Sequence, residues 1–169
     1  TGKMLSRGVR PSLSVDVVSS VPGEMFTQMR TALAYDRICE FTDTPDVAFA
    51  PTLTHKDVLD FATIDGARSI GLEDRVGSLT PGKQADIVLL NVNAINTAPM
   101  IDPIGTIVVF ADTSNVDSVF VAGRAIKRNG QLVDHNLQNV FQKLDESRNY
   151  ILSRGELLPE WASEPMAAV

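Results

Sequence analysis

Residues 62–90 read ATIDGARSIGLEDRVGSLTPGKQADIVLL, and the fold turns on how this stretch is parsed. Just upstream, Thr54-His55-Lys56-Asp57 sets a threonine N-cap three residues before a carboxylate. In such a box each side chain satisfies an orphan backbone N–H of the first helical turn. Val58, Leu59, Ala62 and Ala67 then recur at helical spacing, which predicts a helix over 54–71. Gly71 is its natural stop, because glycine takes a positive φ without a Cβ penalty. Pro81-Gly82 fits the central pair of a type II turn, proline presetting φ and glycine accepting φ > 0. Residues 85–90 follow as a short buried strand.

Toward the C-terminus, residues 104–111 (IGTIVVFA) read as strand by propensity alone. Residues 116–121 and 124–127 form two further strands joined around Gly123, and Asn129-Gly130 makes another turn. Leu137, Val140, Phe141, Leu144 and Ile151 keep the 3.6-residue period, so a helix is expected over 136–153. The last fifteen or so residues, with two prolines and small side chains, read as a mobile tail. Toward the N-terminus, Met25, Phe26, Met29, Ala32 and Leu33 mark a helix across 23–40. Residues 10–18 (RPSLSVDVV) open on a proline and run β-branched. They read as a buried strand over 10–15 with a loop leaving its C-terminal end at Asp16. Between the two helices, residues 41–53 hold two prolines and no sustained period, the mark of a loop.

Composition sets the outer limits. With 169 residues, 44% hydrophobic and 21% charged, the chain carries enough apolar material for a core and is not of the disordered type. A net charge of -6 disfavours a nucleic-acid partner, since binding to phosphates begins with a basic patch. The one cysteine, Cys39, leaves no internal disulfide and falls in a helical pattern, where a buried, inert thiol is the ordinary reading. No apolar run is long enough to span a bilayer, and no secretory leader opens the chain, so no membrane association and a cytoplasmic location are expected.

Residues 62–90, with their AT…GA…GL helix followed by G.L.PGK.AD and an apolar strand, resemble the amidohydrolase superfamily. The resemblance is to the branch that includes cytosine deaminase, guanine deaminase and the triazine hydrolases. Residues 116–130 (VDSVFVAGRAIKRNG) are similar to that family's closing hairpin. The resemblance implies an α+β fold that is the C-terminal part of such an enzyme. On this reading residues 1–71 are the remnant of a (β/α)8 barrel, its last strand and helices, and 72–133 are part of a small flanking β-sandwich. Residues 134–169 are a closing helix and tail. The family also turns residues 102–111 from strand into helix, and Asp102 before Pro103 suits a helix N-terminus. Nothing in GSLTPGKQAD is chemical on this view; Lys83 and Asp86 are turn and edge-strand residues.

The chemistry implied by the resemblance enters at Asp16. In the family the eighth barrel strand ends in an aspartate that ligates the metal and shuttles a proton, and a carboxylate suits both tasks. The sequence Leu13-Ser14-Val15-Asp16-Val17 departs from the Gly-Thr before the aspartate of many members, which bears on the substrate class. Ser19 and Ser20 on the same loop either line a substrate pocket or cap the next helix. His55 and His135 read as surface residues. The family's reaction uses a divalent metal, zinc or iron, and a small cyclic or heteroaromatic substrate. It hydrolyses a C–N bond, most often by deamination, and in triazine hydrolases by dechlorination.

Much of that machinery is missing. The family's His-x-His pair is absent, the chain has two histidines in all, and a (β/α)8 barrel takes about 250 residues. The expectation is therefore a catalytically inert fragment of a metal-dependent hydrolase, holding no metal by itself. Its bare strand edges would be covered in a homo-oligomer. The alternative is a stand-alone binding or oligomerisation module derived from such an enzyme.

Overall fold

The computed structural model describes residues 2–43 and 53–154. Most of the 41–53 loop expectation and the tail expectation from 155 onward lie outside the described residues. The chain divides into two compact units between Val133 and Asp134.

In the first unit a single helical turn, α1 (Gly2–Leu5), precedes α2 (Met25–Asp43), which runs three residues into the stretch read as loop. Glu24 opens α2, its carboxylate accepting the Thr27 backbone N–H at 2.9 and 3.0 Å. On the inward face of α2, buried Asp36 accepts the N–H groups of Gly2 at 2.8 Å and Leu53 at 3.1 Å. One carboxylate thus ties three chain segments together. A Cβ at Gly2 would stand 2.0 Å from Asp36 Oδ1, so any other residue there would push this carboxylate aside.

The threonine box forms as read. Asp57 donates its N–H to Thr54 Oγ1 at 3.2 Å, and Thr54 donates its own to Asp57 Oδ2 at 3.0 Å. What was expected as one helix is two, α3 (His55–Ala62) and α4 (Ile64–Ser69). The break falls at Thr63, whose hydroxyl donates to the Leu59 carbonyl at 2.7 Å while its backbone leaves the helical region. Gly71 stops α4 at φ +69, and the Gly71 and Leu72 N–H groups return to the carbonyls of Arg68 and Ala67 in a Schellman arrangement.

The motif that follows is a set of tethers. Gly77, at φ +86, comes so near α4 that a Cβ would stand 2.8 Å from that of Ala67. Lys83 donates its N–H to Thr80 at 3.2 Å across Pro81-Gly82, with Gly82 at φ +95, as a type II turn requires. The Lys83 ammonium donates to the carbonyls of Glu73 and Val76, and Gln84 donates to Arg75. Asp86 accepts the N–H of Ala122 from the far hairpin.

Four antiparallel strands follow in the order β1 (Ile87–Leu90), β2 (Val116–Val121), β3 (Arg124–Arg128) and β4 (Gln131–Leu132). Ile87 faces Phe120 and Leu89 faces Ser118, with a bulge between Leu89 and Leu90. Ala122-Gly123 and Asn129-Gly130 turn the meander with successive positive φ values, the geometry of tight hairpins. The expectation of a buried strand at 85–90 is corrected: Val88 and Leu89 are exposed, because no second layer covers this sheet among the described residues. Within the sheet only Ser118 is buried.

Between β1 and β2, α5 (Pro103–Gly105) runs into a π-helical turn over Thr106–Phe110, so the helical alternative holds for this segment. Asp102 caps it by accepting the Ile104 N–H, and Ala111 closes the wide turn on the Thr106 carbonyl. Packing overrides β-propensity here. Val108 is fully buried in one core with Met29 and Leu33 of α2, Leu53, and Val58 and Phe61 of α3.

The second unit contains α6 (Leu137–Arg154), begun by Asn136, whose side chain accepts the Asn139 N–H. Its periodic apolar residues Leu137, Val140, Phe141, Leu144 and Ile151 are all exposed.

Candidate functional site

Residues 10–15 do not form a strand. They take no regular structure, and among the described residues the one backbone bond they make across the chain is Leu13 N–H to the Phe61 carbonyl, at 3.2 Å. A strand exists only through its ladder, and no described strand lies alongside. The segment is held instead by the Arg10 side chain. Its Nε donates to Asp65 at 2.9 Å, its two terminal nitrogens lie 3.5 Å from Asp57 and Asp60, and its plane sits 5.3 Å from the Phe61 ring centre. Asp65 is buried and is shared with Arg68. The hydrogen bond to Asp65 raises the Arg10 pKa above its ordinary value, with burial acting against it. Burial tends to raise Asp57, but the hydrogen bonds from Thr54 and the charge of Arg10 outweigh it and hold Asp57 below the usual aspartate value.

Asp16 ends this segment. Its backbone sits in the left-handed region at φ +62, one of the conformations aspartate tolerates better than most residues. Its N–H donates to Ser14 Oγ at 3.2 Å, and its side chain is exposed. Ser19 and Ser20 occupy the next turn, where the Ser20 N–H donates to the Val17 carbonyl, and both are exposed. Neither caps α2; that task falls to Glu24, which the sequence reading passed over although a carboxylate before an apolar-periodic run is a recognised start signal.

His55 Nδ1 lies 3.8 Å from Asp102 Oδ2, and His135 is exposed in the second unit. Cys39 is half-buried rather than buried. A cavity of about 570 Å³ opens between α2, α3 and residues 96–110, lined among others by Arg37, His55, Thr97, Asp102 and Phe110. Asp16, Ser19 and Ser20 are not in its walls. Among the described residues no three His, Cys, Asp or Glu side chains gather as a metal site would need. Asp16 stands outside any such group, so a metal ion does not fit the described residues alone.

Sequence reasoning also missed the Arg10 cluster. The partners lie 47 and 55 residues away, and no local spacing signals such a pairing.

The sequence pattern of the Amidohydrolase family matches residues 2–126. The chain belongs to that family. It is 29% identical over 133 residues to a 5-methylthioadenosine/S-adenosylhomocysteine deaminase of Teredinibacter turnerae, covering 78% of this chain and 28% of the relative. It is 34% identical over 131 residues to a 5'-deoxyadenosine deaminase of Methanothermobacter thermautotrophicus, covering 77% and 29%. Among solved structures it is similar to a zinc-bound adenosine deaminase of Xanthomonas campestris, with a TM-score of 0.79 and 27% identity, over 90% of this chain and 33% of that one. The chain thus spans about a third of the length of the relatives it matches. No described helix is long and apolar enough to cross a membrane.

Proposed function

We propose that this chain is the C-terminal part of a metal-dependent hydrolytic deaminase acting on a heteroaromatic amine of the adenine-nucleoside type. Residues 1–71 are read as the end of its barrel and 72–133 as part of the flanking sandwich. The observation that carries the reading is a family match that runs from residue 2 through Asp16 into the sheet. The relatives named for adenine nucleosides support the substrate class.

In this reading Asp16 is a catalytic residue. Its carboxylate is one ligand of a divalent ion, zinc or iron, whose other ligands lie outside this chain. It takes a proton from the attacking water and returns it to the departing amine. Ser19 and Ser20, on the adjoining turn, face the substrate. By itself the chain is inactive, because one carboxylate makes neither a metal site nor a substrate cavity. Exposed Val88 and Leu89 on edge strand β1 support a homo-oligomer, and the location is read as cytoplasmic.

The test is to express this chain together with its upstream in-frame codons and to follow ammonia release from adenosine and 5'-methylthioadenosine. Release that a chelator stops, and that Asp16→Asn lowers by at least about 10³-fold, is the expected result. Full activity in Asp16→Asn would remove Asp16 from the chemistry, and no ammonia release from the unaltered extended protein would favour a non-catalytic module instead.

A further inference from the structure

We infer that Arg10 is the positioning residue for Asp16, a role that rests on the functional reading above. The irregular segment 10–16 has few other means of being aimed. It lacks a described ladder neighbour, and a free chain of six residues spans up to about 20 Å, so a small swing at its base moves its tip far. The segment meets α3 and α4 at two places. At its base the Arg10 guanidinium is gripped by Asp57, Asp60 and Asp65 and lies over Phe61. At its middle the Leu13 N–H is fixed to the Phe61 carbonyl, with the Leu13 side chain against the core.

Two attachments to the α3–α4 pair define a direction, which a single attachment does not. The partners are well suited to that task. Asp65 is buried, so it cannot follow Arg10 into solvent, and Arg68 holds its other oxygen. Asp57 is locked in turn by the Thr54 box. A planar guanidinium can answer three carboxylates and a ring face at once, whereas an ammonium on a flexible stem cannot. The direction of the segment, and with it the place of Asp16, is thereby written into α3 and the first turn of α4.

Backbone ¹⁵N relaxation on the whole chain tests this. In the unaltered protein the order parameters of residues 12–16 should lie near about 0.85, and in Arg10→Ala they should fall below about 0.6, while α2 and α3 keep theirs. Arg10→Lys should restore them only in part, and Asp65→Asn should loosen the same residues. Should Arg10→Ala fail to fold, Arg10→Lys and Asp65→Asn carry the comparison. Residues 12–16 as ordered in these variants as before, or a loss spread evenly over the helices, overturns the inference. Asp16→Asn should leave the order parameters unchanged whether or not Asp16 is catalytic, so failure here and failure of the catalytic reading are seen in different measurements.

Discussion

Asp86 Oδ1 accepts the backbone N–H of Ala122 at 2.6 Å, joining the entry of the first strand to a hairpin turn 36 residues later. Gly123, next in that turn, donates its own N–H to the Ala85 carbonyl. The aspartate of the PGKQAD run is therefore a lock on the β2–β3 turn. Asp86→Ala should lower stability by about 1 kcal/mol, the size of one lost hydrogen bond, measured as a drop in the urea midpoint at unchanged slope.

Gly77 meets a harsher limit. It combines a positive φ with a Cβ position 2.8 Å from Ala67 and 3.0 Å from the Ile64 backbone. Gly77→Ala should cost about 1–3 kcal/mol in the same assay. Gly82 offers the contrast, having a positive φ but nothing within 4 Å of the place a methyl would take, so Gly82→Ala should cost less.

Phe61 is fully buried at the centre of the helical core, beneath Arg10 and against Val58 and Val108. Phe61→Ala should destabilise by about 3–5 kcal/mol, read from thermal or urea unfolding. Asp16→Asn, at an exposed position, should change stability by no more than about 0.5 kcal/mol in those experiments.

Acid should weaken the first unit through Asp57. Its folded pKa is depressed, so the folded state binds fewer protons than the unfolded one near the ordinary aspartate value of about 3.9. The associated stability is present above that value and is lost as pH falls through the folded pKa. Urea midpoints from pH 6 down to 2.5 should decline in this window. Thr54→Ala removes the hydroxyl that donates to Asp57 Oδ2 and helps depress it, and also the cap that accepts the Asp57 N–H; it should flatten the decline and cost about 1 kcal/mol at neutral pH.

The parts of the fold legible in the sequence are those set by local chemistry. Thr54 and Asp57 are three residues apart, so their box could be read, as could Gly71, Pro81-Gly82 and Asn129-Gly130. Thr63 escaped notice because a threonine inside a helical pattern is usually tolerated, and only its bond to Leu59 reveals the break. Residues 10–15 carry a strand's composition but no ladder, and composition says nothing about neighbours. Residues 104–111 needed the family resemblance, since β-branched residues were placed in a helix by packing against α2 and α3. Asp16 could be nominated only through the family resemblance, and the Arg10 clamp behind it joins residues that sequence keeps far apart.

The core has a consequence for how the molecule is made. Met29 and Leu33 are covered by Val108, which leaves the ribosome roughly eighty residues later. At about 5–20 residues per second, that side of α2 waits about 4–16 s for Val108, and the apolar side of α3, about fifty residues upstream of Val108, about 2–10 s. During that interval the nascent chain offers first Met29 and Leu33, and then also Val58 and Phe61, to any chaperone that reads hydrophobic stretches, and the π-helical turn is the piece whose arrival ends the exposure.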